Sequence, residues 1–251
     1  MDAPSQDRPD AAARAAAVLA ELAACGSAEA RAGMSRYGIN TSAAYGVSVY
    51  ELRRVAKELG RDHDLALALW ATGNHEARLL ASMVDEPARV TEAQMDAWAA
   101  AFDSWDVCDQ VTSNLFDKTP YAWDKVREWS AAESEWVKRA AFATAAALAV
   151  QDKKATDEPF LEILDLVRRE AADDRNFVKK AVNWALRNIG KRNLRLHAAA
   201  IATAEDILAS ADERAAADRT DPAARSGRWI ARDALRELRS DKTLERVRRR
   251  G

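Results

Sequence analysis

One five-residue phrase occurs twice in this chain, and it limits the possible folds more than any other feature. Trp136-Val137-Lys138-Arg139-Ala140 returns 41 residues later as Phe177-Val178-Lys179-Lys180-Ala181. Trp229-Ile230-Ala231-Arg232 is a weaker copy, offset by a longer polar loop at 210–227, and Glu76-Ala77-Arg78-Leu79-Leu80-Ala81 is a partial one. The phrase suits a helix: the aromatic and the alanine can pack into a neighbour while the basic pair emerges. With only nine glycines and six prolines in 251 residues, little interrupts helix formation.

Capping residues divide the chain into helices of mostly ten to fifteen residues with short loops. Residues 11–25 form the first, and 33–47 read as turns. Ser48 opens the next helix with Glu51 in the capping-box position, and Gly60 closes it. Helices follow over 64–72 and 75–84. Thr91 caps 92–102 and Ser104 caps 105–116. Further helices are expected over 121–131, 135–150, 159–170, 177–189 (behind Asn176), 194–209 and 228–238. A helix-pair rhythm with a period near 41 residues is that of HEAT and armadillo repeats. The expectation is an all-α superhelical solenoid of HEAT-like repeats. Residues 1–10 are expected to be disordered, 11–240 to form a single repeat domain, and 241–251 to be a basic C-terminal tail.

No run of ~18 apolar residues offers a membrane span, and the polar, acidic start MDAPSQDRPD does not read as a signal peptide. Cys25 and Cys108 lie far apart, which predicts reduced thiols in a cytosol. His63, His75 and His197 are scattered, so no metal or other cofactor is expected. The net charge of −2 hides an asymmetry. Residues 1–125 hold 12 Lys/Arg against 19 Asp/Glu, and residues 126–251 hold 26 against 21. Residues 177–197 carry six cations (Lys179, Lys180, Arg187, Lys191, Arg192, Arg195) and no acid. Such a stretch can meet phosphates whatever the total charge. It can equally be a solvated helix face, with Lys and Arg snorkelling from packed helices.

The most unusual segment is Phe102-Asp103-Ser104-Trp105-Asp106-Val107-Cys108-Asp109. On a helix Trp105 and Asp109 are one turn apart and share a face. Asp106 suits the first turn and its dipole, which explains Asp109 less well. Cys108 reads as buried packing. Trp184 stands mid-helix inside the basic stretch, and most of the eight tryptophans are expected in the core.

The phrases SWDVCDQVTSNLF, EWVKRAAFATAAAL and NFVKKAVNWALRNIGKRN, in this order, resemble the bacterial DNA alkylation repair family of AlkD-like glycosylases. The resemblance runs from Tyr37 to about Arg239. It implies a superhelix of HEAT-like repeats cradling duplex DNA on a basic concave face. It also implies hydrolytic removal of 3-methyladenine, 7-methylguanine and bulkier cationic adducts while the duplex backbone is gripped and the lesion stays largely stacked. Carried over by position, the tryptophan of the W-D-x-x-D motif falls on Trp105, the catalytic aspartate on Asp109, the arginine of the R-A-A helix on Arg139, and the second aromatic on Trp184. Arg139 would hold a phosphate beside the lesion. Lys138, Lys179, Lys180, Arg187, Lys191 and Arg192 would meet the DNA. Many relatives carry two successive tryptophans before the aspartate, whereas here Ser104 precedes Trp105. A monomer in the cytoplasm, bound to duplex DNA containing alkylated bases, is the simplest expectation. The alternative is a non-catalytic HEAT-like scaffold that binds DNA shape or another protein, since fold alone does not set function.

Overall fold

The computed structural model describes residues 10–249, and among these it is all-helical. The elements are α1 (Ala11–Ala24), α2 (Ala28–Ser35), α3 (Val49–Leu59), α4 (His63–Ala71), α5 (His75–Val84), α6 (Glu92–Ala100), α7 (Trp105–Asn114), α8 (Ala122–Trp129), α9 (Glu135–Gln151), α10 (Glu158–Glu170), α11 (Asn176–Ile189), α12 (Leu194–Ala217), α13 (Pro222–Leu238) and α14 (Asp241–Arg248), with a 3-10 turn at Phe116–Lys118. The disorder expected for residues 1–10 lies outside the described residues, apart from Asp10, which is the cap position of α1. Packing divides the chain into two compact units, Met1–Met95 with Asp103–Leu115, and Asp96–Phe102 with Phe116–Gly251.

In the first unit α4 packs on α1 and α5, and α5 also meets α3 and α7. Leu22, Leu52, Leu65, Leu69 and Leu80 are fully buried there. Two of the caps work as read, whereas Ser104 stands at the N-cap of α7 without a side-chain cap bond, and Arg175 rather than Asn176 holds the cap position of α11. Ser48 Oγ accepts from the Glu51 N–H at 3.3 Å, and Thr91 Oγ1 from the Gln94 N–H at 3.1 Å. The box partners do not reach back, however. Glu51 pairs with Arg54, and Gln94 donates to Asp85. The loop before α3 is held by one buried carboxylate. Glu76 accepts from the backbone N–H groups of Tyr45, Gly46 and Val47 at 2.7–3.1 Å. Gly46 has φ +83°, and a Cβ there would stand 2.2 Å from the Ser27 carbonyl oxygen, so no other residue fits without moving the loop.

The second unit is built from helical pairs. α8 packs with α9, α10 with α11 and α12 with α13; α9, α11 and α13 then meet in sequence, as do α8, α10 and α12. The repeated phrase opens α9 and α11. Its alanines, Ala140 and Ala181, are fully buried, and its aromatics, Trp136 and Phe177, stack at 4.9 Å and 28°. In α9 every residue from Arg139 to Ala149 is buried. The small alanines let α11 approach closely. Asn188 Nδ2 donates to the Ala146 carbonyl at 3.1 Å and Asn183 Nδ2 to the Ile230 carbonyl at 3.0 Å, tying α11 to both its neighbours.

Four elements differ most from expectation. α2 lies in a segment with no strong apolar pattern and buries none of its residues. The polar loop expected at 210–227 is mostly helix: α12 runs on to Ala217, and α13 starts at Pro222, where Asp221 accepts from the Ala223 N–H at 2.9 Å. The segment expected as a basic tail, 241–251, begins as α14, capped by Ser240 and anchored by buried Thr243 and Val247.

Candidate functional site

The N-terminus of α7 is held from three sides within the first unit. The Trp105 indole N–H donates to the Tyr37 carbonyl at 2.9 Å. Asp103 accepts from Asn40 Nδ2 at 2.8 Å and lies 3.5 Å from the Arg78 guanidinium, which itself sits over the Trp70 ring. Asp106 accepts from Ser104 Oγ at 2.6 Å and pairs with His75 Nε2 at 2.9 Å. The Ser104 hydroxyl thus fixes a carboxylate.

Burial alone would push the Asp106 carboxyl up and the His75 imidazole down. Their mutual hydrogen bond and charges win. Asp106 is held below the ordinary carboxylate range and His75 above the ordinary imidazole range. Sequence reading missed His75, because a lone histidine 31 residues before its partner leaves no local signal. The sign of its contribution follows. The raised His75 stabilises fully below its unfolded value near 6.5 and loses this as pH rises through its folded value; the lowered Asp106 contributes fully above its ordinary value and loses this as pH falls through its folded value. His75→Gln should therefore cost ~1–3 kcal/mol near pH 6, as for other buried hydrogen bonds to a charged group. The difference from wild type should shrink toward pH 9. Thermal unfolding at both pH values checks it, and a gap that is constant with pH contradicts the pair.

With Asp106 committed to His75, α7 keeps Trp105 and Asp109 one turn apart on a common face, both half-buried. Cys108 is fully buried, as expected of packing. The expectation that most tryptophans are core is corrected: only Trp98 and Trp129 are buried, and Trp229 is exposed. Trp184, on α11, is half-buried.

In the second unit the expected phosphate ligands divide. Arg139 is 5% exposed; its Nη1 donates to the Phe177 carbonyl at 2.7 Å and its guanidinium lies over the Phe177 ring. Lys138 pairs with Glu170 at 2.5 Å and Asp173 at 3.2 Å. Arg187 and Lys191 share Glu237. Arg192 stacks on Phe160 at 4.1 Å and donates to the Ala149 carbonyl at the end of α9. These five hold helices together in this structure, and a phosphate would have to displace an internal partner. Lys180 is exposed, and Lys179 lies over the Trp229 ring. The basic stretch is therefore only partly the open charged edge that the repeated phrase suggested, because α13 supplies acids opposite α11.

Residues 18–238 match the model of the family described as DNA alkylation repair enzyme. The chain belongs to that family. No curated protein sequence matches it. Among solved structures, a protein described as one of "a new family of proteins related to the HEAT-like repeat DNA glycosylases with affinity for branched DNA structures" is similar, with TM-score 0.68 and 22% identity over 76% of this chain and 81% of that one. At that identity the likeness concerns the fold, and it agrees with the helical pairs described above.

Proposed function

We propose that this protein is a DNA glycosylase that hydrolyses the N-glycosidic bond of cationic alkylated purines, such as 3-methyladenine and 7-methylguanine, in duplex DNA. The observation that carries this reading is the Trp105–Asp109 face of α7, set by the Tyr37 and His75 contacts. An alkylated purine is already positively charged, so it leaves without being protonated. The C1′–N bond breaks, its electron pair goes to the base, and positive charge builds on the sugar. Asp109 would stabilise that oxocarbenium-like sugar and orient the water that adds to C1′, whose released proton passes to solvent. The indole face of Trp105 favours the cation. Family membership supports the chemistry, and the duplex would be gripped by its backbone with the lesion left stacked.

Incubating methylated duplex with the protein and a chelator should release free 3-methyladenine and 7-methylguanine. Adducts that stay on the strand would overturn the proposal. A second reading, a HEAT-like module that binds DNA shape without cleaving it, gains support from the branched-DNA affinity described for the similar solved protein. Tight binding without base release would select it. Under either reading Lys179→Glu with Lys180→Glu should weaken duplex binding and reduce the slope of log K against log salt by about 2, at ~0.9 for each phosphate no longer neutralised. Titrations at several salt concentrations check this, and an unchanged slope would remove the start of α11 from the interface.

A further inference from the structure

The repeated aromatic of one helix packs on that of the next, but the series ends at Trp229. Trp136 is covered by Phe177. Trp229 stays 41% exposed, with Lys179 Nζ 5.9 Å from its ring centre. Around it runs an open groove of about 350 Å³ lined by Arg225, Arg228, Trp229, Arg232, Asp233 and Arg236. The arginines are spaced three, four and four residues apart, so they share one face of α13. At ~1.5 Å rise per residue that face is about 16 Å long.

One carboxylate, Asp233, stands among four guanidiniums. It pairs with Arg236 and lies 3.7 Å from Arg187. Arg228 pairs with Asp212 across exposed surface. The Arg228–Asp212 pair is solvent-exposed, and pairs of that kind are weak and exchange readily for phosphate, while Arg236 itself stays largely exposed beside Asp233. An indole set among guanidiniums is the chemistry that binds unpaired strands, where bases stack on the ring and cations follow the backbone.

We propose that the α13 groove binds an unpaired DNA strand, with one base stacked on Trp229 and the flanking phosphates held by Arg225, Arg232 and Arg236. This goes beyond base release, which requires only a duplex.

The test is fluorescence anisotropy of the full chain with a labelled oligo-dT of twenty nucleotides and with a duplex of the same length. Wild type should bind the oligo-dT. Trp229→Ala should weaken that binding about tenfold or more, the usual cost of losing one stacked base. Its duplex affinity and its release of methylated bases should stay within about twofold of wild type. Trp229→Phe should restore most of the loss. Arg232→Ala with Arg236→Ala should lower the salt slope by about 1.4, at ~0.7 for each phosphate of a single strand. Failure of wild type to bind oligo-dT, equal affinity of wild type and Trp229→Ala, or equal weakening toward duplex and single strand would overturn the proposal. Base release is scored separately: its absence in wild type overturns the glycosylase reading and leaves this site standing.

Discussion

Asp117→Asn should stabilise the protein at pH 8 and lose that advantage by pH 4. The Asp117 side chain is 1% exposed, in the 3-10 turn after α7, and neither carboxylate oxygen has a hydrogen-bond partner. Lys118 Nζ, at 3.5 Å, lowers its pKa only in part. Burial dominates and pushes the carboxyl up to about 6 from an ordinary 3.8. The sign is that of a raised acid. Its neutral form suits the fold, so stability is highest below the unfolded value and falls as pH rises through about 6. At ~1.36 kcal/mol per pH unit, the folded-state ionisation costs about 3 kcal/mol at neutral pH. Asparagine keeps the shape and cannot ionise. The difference in unfolding free energy between variant and wild type should therefore grow by about 2.5 kcal/mol from pH 4 to pH 8, since an unfolded carboxyl of ordinary value 3.8 is already partly ionised at pH 4. Denaturant titration at the two pH values measures it. A difference independent of pH would mean that Asp117 is neutral, or well solvated, throughout.

Asp109→Asn should slow base release by about 10²–10³-fold, the loss typical of removing one preorganised group that stabilises transition-state charge. Asparagine is nearly isosteric and Asp109 is half-buried, so helicity and duplex affinity should hold. Asp106→Asn should behave differently. It removes the partner of His75 inside the protein, so stability should fall along with activity. This split between the two carboxylates follows from their surroundings on α7 and is not visible in their spacing.

Much of the fold was legible because its signals are local. Ser48 and Thr91 announce their helices, and the repeated phrase marks α9 and α11 by its aromatic and its alanine. The start of α13 was missed by six residues, although Asp221 followed by Pro222 is a cap followed by a proline in the first turn. The polar composition of 210–227 obscured it. α14 was hidden by its arginines, although Val247 is buried. The site was legible in residue type and less so in role. Trp105 and Asp109 share a face as the i, i+4 spacing requires. Arg139, Lys138, Arg187 and Lys191 have the charge expected of phosphate ligands, yet their carbonyl and carboxylate partners lie 32–50 residues away in sequence. Glu76 is the same lesson in reverse: an acid in a plain helix that organises a loop some thirty residues earlier.

The most direct test of the proposed chemistry is single-turnover release of 7-methylguanine from a duplex carrying one such lesion, with chelator present, comparing wild type and Asp109→Asn at matched DNA occupancy. Wild type should release the base, and the variant should lose at least about a hundredfold in rate with binding unchanged. Equal release by both, or none by wild type at full occupancy, would contradict a catalytic Asp109.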